Sequence, residues 1–333
     1  MGIVTEVIDG APFDRPERTV LRDEQLLFEK LPASAMRFLT ADLSPLAAYR
    51  FPIVYEPTAF GPPRGVFEGA HLRVEWQTLN GRQPFYHRNT DVDEIGFQVC
   101  GKRSLMTECG TVEFQPGHFA SIPAGVAHDN YCEADIHLIF YVPGPARACI
   151  APVSLGRHAV PPFAGWEPKP VVEVSTNNLA AMNSDVAYSL VDETMLLDAA
   201  ARFEDKLELL KPAGADGEVE WVYKAPAVWI GHTVLAARRD RIYRRHLCAD
   251  EIQYQISGTR TLVTQRGVLT LQPGDFTCIP AGCAHAQIAD GPTEHLSVLT
   301  AHATPAVRSP DRLANPDVSG LLRSVGGSRS ETL

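Results

Sequence analysis

Short apolar runs with strand character recur along this chain, each closed by glycine or proline. Residues 95–99, 112–114 and 119–122 are separated by Gly101, Gly110, Pro116 with Gly117, and Pro123 with Gly125. The same rhythm returns at 252–256, 268–271 and 276–279. Several short strands spaced by turns predict an all-β sandwich or barrel rather than alternating β and α units. The two stretches are copies of each other. Residues 93–128 align without a gap on 250–285, at a constant offset of 157 residues, with 19 identities in 36 positions. The shared skeleton is DEI, a Gln, then G, R, L, T and G, and finally QPG-x-F-x-x-IPAG-x-AH.

Outside the repeat the pattern changes. Residues 71–77 and 232–237 read as a further matched strand pair. His71 lies 16 residues before His87 and His232 lies 12 before Arg244, so the two barrel mouths are expected to differ. Residues 177–210, with Met195, Leu196, Leu197, Phe203, Leu207 and Leu210, predict one or two helices in a connector. The first 65 residues, punctuated by Pro12, Pro16, Pro45, Pro52, Pro57, Pro62 and Pro63, read as an extended arm. Beyond about residue 304 the Ser, Gly, Arg and Pro content predicts a mobile tail. The expected division is therefore an arm over 1–65, barrels over 66–165 and 213–305, a connector with a helix over 166–212, and a tail over 306–333.

Composition narrows the function. An apolar fraction of 45% over 333 residues suits a chain that buries a real core. No run approaches the roughly 20 apolar residues of a membrane-spanning helix. The first residues, with Glu6, Asp9 and Asp14, lack the order of a signal peptide, so the expected location is cytoplasmic, away from membranes. A formal charge of −10 opposes attraction to phosphate, and nucleic acid is an unexpected partner. The seven cysteines form no CxxC pair and read as reduced thiols.

Candidate chemistry sits in and beside the repeat. Copy one carries His87, Asn89, Glu94 and Gly101, then Gly117, Pro123, Gly125, His128 and Asn130. Copy two carries Arg244, His246, Glu251 and Gly258, then Gly274, Pro280, Gly282 and His285. This pattern resembles the cupin superfamily, whose first motif is a Gly, HxH, a Glu and a Gly, and whose second is a Gly, PxG, a His and often an Asn. The resemblance covers most of both halves and implies two tandem cupin (double-stranded β-helix, or jelly-roll) barrels with a short helical connector. Neither copy keeps the full HxH pair. Each retains two histidines and one glutamate, and His87, Glu94, His128, His246, Glu251 and His285 are the expected metal ligands. Two histidines and a carboxylate with open positions suit a non-heme Fe(II) oxygenase site.

The run Tyr86-His87-Arg88-Asn89, followed by Asp93-Glu94, also resembles the metal motif of the homogentisate 1,2-dioxygenase family. It implies ring cleavage of a hydroxylated aromatic acid by Fe(II) and O₂. Either Asp93 or Glu94 could supply the carboxylate, and the repeat favours Glu94. His137 is the candidate base, with His295 at the matching place in copy two. Expected substrate contacts are Arg88, Asn89, Gly96, Asn130, Arg244 and Gln253, although Arg88 and its repeat Arg245 also suit ion pairs on the barrel wall. Gly96 stands where copy two has Gln253, which predicts more room beside the first metal and a narrower or structural second barrel. A Mn(II)- or Fe(II)-dependent decarboxylase, oxidase, isomerase or lyase of a small acid uses the same ligands. A non-enzymatic binding cupin is the reading from another class. A homo-oligomer, paired through the N-terminal arm, is expected.

Overall fold

Alternation along each strand sends side chains to opposite faces, and in this protein the polar ones point into the barrels. In the strand Asp93–Thr107, Glu94 and Gln98 turn inward. Ile95 and Phe97 point the other way, into the largest apolar cluster. His137 on Ala127–Val142 and His295 on Thr293–Thr300 are likewise inward, while Leu138, Phe140, Leu296 and Val298 join that cluster.

The computed structural model describes residues 2–13, 15–29, 44–58, 61–179, 184–239 and 241–318. They form two tandem cupin barrels, one from each copy, and the fold is all-β. In the first, one continuous sheet runs through Ser184–Asp192, Pro170–Asn177, Tyr86–Asn89, Ala127–Val142, Arg73–Arg82 and Arg64–Glu68. Asp93–Thr107 pairs with Ala127–Val142, Gly110–Phe114 and Phe119–Ile122. The second closes between two sheets. One runs through Arg18–Asp23, Ile3–Asp9, Ile242–His246, His285–Ala289, Arg260–Thr264 and Gly267–Leu271. The other holds Val219–Lys224, Val228–Leu235, Thr293–Thr300, Asp250–Ser257, Asp275–Ile279 and Ala47–Arg50, with short edge strands. Gly101 and Gly258, identical in the repeat, sit at φ +72° and +67°; a Cβ on either would lie 2.2–2.3 Å from a carbonyl oxygen, so neither tolerates a side chain.

Each barrel is completed by a hairpin from outside its own repeat. The N-terminal hairpin, Ile3–Asp9 with Arg18–Asp23, adds in parallel to Ile242–His246 of the second barrel. The middle hairpin, Pro170–Asn177 with Ser184–Asp192, adds in parallel to Tyr86–Asn89 of the first. Both hairpins end in an Asp that caps a short helix, Asp23 before Glu24–Phe28 and Asp192 before Glu193–Asp198. The first helical residue is a buried glutamate in each case. Glu24 is held by Arg241 and by the Tyr243 hydroxyl at 2.8 Å, and Glu193 by Arg82 and by the Tyr86 hydroxyl at 3.1 Å. This pseudo-symmetry lies outside the 36-residue repeat because the linking loops differ in length.

Several expectations change. The arm is structured, its hairpin and the strand Ala47–Arg50 pairing within the chain; residues 30–43 lie outside the described residues. The connector is mainly a hairpin, with one short helix and a 3-10 turn at Ala199–Ala201. The expected tail is docked as far as residue 315, where Ala306 bridges Phe67, Arg312–Leu313 pairs with Ala47–Arg50, and Asn315 bridges Val268; residues 319–333 lie outside the described ones. His71 and His232 are not equivalent. Gln77 lies opposite His137 and Thr233 opposite His295, and from those residues His87 and Arg244 are 10 and 11 residues away, so the connections are nearly equal.

Candidate metal centres

The strand register brings each ligand set together. His87 on Tyr86–Asn89 lies directly opposite His128 on Ala127–Val142, and Glu94 enters from the neighbouring strand. His128 Nε2 is 3.3 Å from Glu94 Oε2, and one donor atom from each of the three residues lies within 4.8 Å of the others. In the second barrel His246 Nε2 and His285 Nε2 are both 3.2 Å from Glu251 Oε2, and the same limit holds. The histidines differ in position. Arg244 occupies the strand place of His87, opposite His285, while His246 occupies that of Asn89. Asp93 is no part of either set. Its carboxylate accepts from the amides of Ala124 and Ala146, so it anchors two loops.

Charge and hydrogen bonding fit a divalent ion with N and O donors. Burial would raise the Glu94 carboxyl, but His128, His87 and the Asn89 amide override it and hold it well below the usual range. Glu251 is held down in the same way by His246 and His285. Burial and the neighbouring His128 push His87 down to about 4, leaving it neutral. His128 Nδ1 lies 3.2 Å from the carbonyl of Val126, which turns Nε2 to the site. Burial would lower His246, but Asp9 and Glu251 raise it to about 9.

The supporting residues come from the added hairpins. Asp9 Oδ1 meets His246 Nδ1 at 2.8 Å, an orienting carboxylate behind a candidate ligand. In the first barrel Asn178 donates to Asn89 Oδ1 at 2.6 Å, and Asn89 Nδ2 donates to Glu94 at 2.9 Å. Sequence reasoning missed Asp9 and Asn178, whose one available signal was the Asp-Glu pair at 23–24 and 192–193 that closes each hairpin.

Cavities open above both sets. The first, about 360 Å³, is lined by Arg73, Glu75, Gln77, Gln83, Phe85, His87, Glu94, Asn130, His137 and Tyr141 and, from the middle hairpin, by Thr176, Asn178 and Asp185. The second, about 370 Å³, carries Arg238, Arg244, Trp221, Thr233, Gln287 and Ser297 beside its ligands. The expected difference in room is therefore absent. A Cβ on Gly96 would lie 2.7 Å from Arg103 Nη2, so the buried guanidinium of Arg103 fills the place the glycine leaves. Arg88 is also outside the cavity. It pairs with Glu108 and Glu173 at 2.9 and 2.8 Å, as Arg245 pairs with Glu6, and both clamp a hairpin. Asn89 and Gln253 support the glutamates, Gln253 donating to Glu251 at 2.9 Å. Arg244 stands at the rim, half exposed, bonded to Asp9 and Glu17. Asn130 reaches the first cavity.

His137 lines the first cavity with Nδ1 bonded to Asp135, which also accepts from Gln98; its Nε2 has no partner within the protein. Burial holds its imidazole below the ordinary value, so it is neutral with Nδ1 donating to the carboxylate. His295 differs. Thr293 stands where Asp135 would be, and neither ring nitrogen is bonded.

Fold and ligand sets together define a pair of cupin-fold barrels with two candidate mononuclear metal centres. No family model matches the chain, and no curated protein does. Solved structures resemble it. They include a cupin 2 conserved barrel domain protein from Leptotrichia buccalis, 10% identical over 79% of this chain and 93% of that one, with a TM-score of 0.42. A mutant oxalate decarboxylase of Bacillus subtilis is 13% identical over 84% and 87%, with a TM-score of 0.47. AerE from Microcystis aeruginosa is 10% identical over 72% and 97%, at 0.43. No helix among the described residues is long and apolar enough to cross a membrane.

Proposed function

We propose that this protein is a divalent-metal enzyme that works by acid–base chemistry on a small carboxylic acid in the first barrel, in the manner of a decarboxylase, isomerase or lyase. The observation that carries this reading is the buried Asp135–His137 pair, whose imidazole lines the cavity that holds the ligand set and whose Nε2 has no partner within the protein. Asp135 fixes the tautomer, so Nε2 presents a lone pair able to take a proton from the substrate and return it. Arg73, mostly buried on the same wall, keeps Nη1 without a partner while Nη2 holds Glu75. That free N–H suits a substrate carboxylate. Fe(II) or Mn(II) at His87, Glu94 and His128 would supply Lewis acidity at the substrate oxygens. In the second barrel His295, the counterpart of His137, has no carboxylate behind it, which favours the first as the reacting site.

Fe(II) and O₂ ring cleavage of a hydroxylated aromatic acid is the second reading, favoured by the two-histidine, one-carboxylate donor set. The cavity supports it less, since guanidinium, carboxylate, amide and imidazole groups stand among the apolar Pro62, Pro63, Ile139 and Val174, and Phe85 and Tyr141 are its aromatic rings. Anaerobic turnover of a panel of small hydroxy, keto and hydroxylated aromatic acids by Mn(II)- and Fe(II)-loaded protein separates the two. Turnover without O₂ fits the acid–base reading; strict one-to-one O₂ consumption replaces it with the oxygenase. Elemental analysis should give two ions per chain, falling to one in His128→Ala and in His285→Ala. His137→Gln is expected to retain both ions and lose at least about 100-fold in turnover; unchanged turnover removes His137 from the reaction.

A further inference from the structure

The floor of the second barrel is more polar than its lack of a paired base requires. Thr233 and Ser297, both almost fully buried, line the cavity beside His246, Glu251 and His285, and neither hydroxyl has a hydrogen-bond partner within the protein. Buried polar groups left unpaired are costly, and those on a cavity wall are readily satisfied by what the cavity receives. Gln287 lines the same cavity. Its Oε1 accepts from the buried Arg260 Nη1 at 2.9 Å, which leaves the amide nitrogen as the donor not engaged with Arg260. Two hydroxyl side chains and an amide side chain thus line the cavity that holds the ligand set.

The first barrel does not repeat this floor. The strand register puts Gln77 in the place of Thr233 and Ile139 in the place of Ser297, and Asn130 matches Gln287. An apolar side chain therefore replaces a hydroxyl on the cavity wall. Groups that both donate and accept suit a ligand hydroxyl, whereas amide N–H and a divalent ion suit carboxylate oxygens.

We propose that the second barrel is a separate binding site for a small hydroxylated carboxylic acid, held through Thr233, Ser297 and Gln287 beside the metal ligands and bound without being turned over. The absence of turnover follows from Thr293 standing where the first barrel has Asp135, which leaves His295 without an orienting carboxylate. Binding at this site is independent of the chemistry proposed for the first barrel, whereas its lack of turnover rests on that reading; the two are tested by separate readouts.

The test uses the Mn(II)-loaded His128→Ala full-length protein, in which the first site is silenced. Titration calorimetry compares L-malate with succinate and glycolate with acetate. At least one hydroxy acid is expected to bind about tenfold tighter than its deoxy partner. Combining Ser297→Ala with Thr233→Val should bring it down to the deoxy level with the metal content unchanged. Thr233→Ser, which keeps the hydroxyl, should restore part of the difference. No binding by any probe, equal affinity within both pairs, or a preference that survives the double substitution overturns the proposal; the last outcome means chelation by the metal only. Product formation from a bound acid in this variant overturns the claim that the site does not react.

Discussion

Single residues set how each centre responds to pH. His246 in the metal-free protein is held at about 9 by Asp9 and Glu251 against the cost of burial, above an unfolded value near 6.5. The folded state thus binds the extra proton more tightly. Its contribution is full below about pH 6.5 and is lost as pH rises through about 9. Metal-free protein should therefore lose on the order of 3 kcal/mol between those limits, and His246→Gln should flatten that part of the profile. Thermal unfolding in chelator from pH 6 to 10 checks this, and an identical slope in the variant would refute it. His87, already neutral above about 4, contributes no such dependence over this range. At this scale the sequence disclosed the six candidate ligands, because motif spacing on strands determines which side chains face together. It misjudged Gly96, because the room beside a glycine depends on a side chain seven positions along, Arg103.

At the scale of elements, the two hairpins connect folding to the sites. Asp9 supports only the second centre and Asn178 only the first. Asp9→Ala is expected to weaken the second site for Mn(II) by about 10- to 100-fold while sparing the first, and Asn178→Ala to do the reverse. Metal titration of each variant, with the other site silenced, reads this directly; equal loss at both sites would mean the hairpins act only through general stability. The N-terminal strand sets Glu6 and Asp9, at i and i+3 and so on opposite faces, against Arg245 and His246 of the second barrel, a spacing that no repeat search detects. Parallel addition of a strand by a long connection leaves little local signature, so the hairpins were visible only as a proline-rich arm and a supposed helical connector.

Across the whole molecule, the two barrels share one apolar cluster. Phe51, Phe67, Trp76, Phe97 and Phe140 meet Ile230, Tyr254, Phe276 and Val298 in it, with Phe276 packed edge-on to Phe51 at 5.7 Å. Phe276→Ala should cost about 3–5 kcal/mol, and calorimetry should show both barrels melting in one transition at a lower temperature. Two separated transitions in the unaltered protein would contradict a shared core. The sequence by itself determined the β architecture, the duplication and the residues able to hold metal, because periodicity and turn chemistry are local and the repeat preserves them. Tertiary structure alone decided which segment completes which barrel, which polar groups stand behind each ligand and how much room each cavity keeps. Those depend on contacts between residues as distant as Asp9 and His246, or Asn89 and Asn178, and no local pattern encodes them.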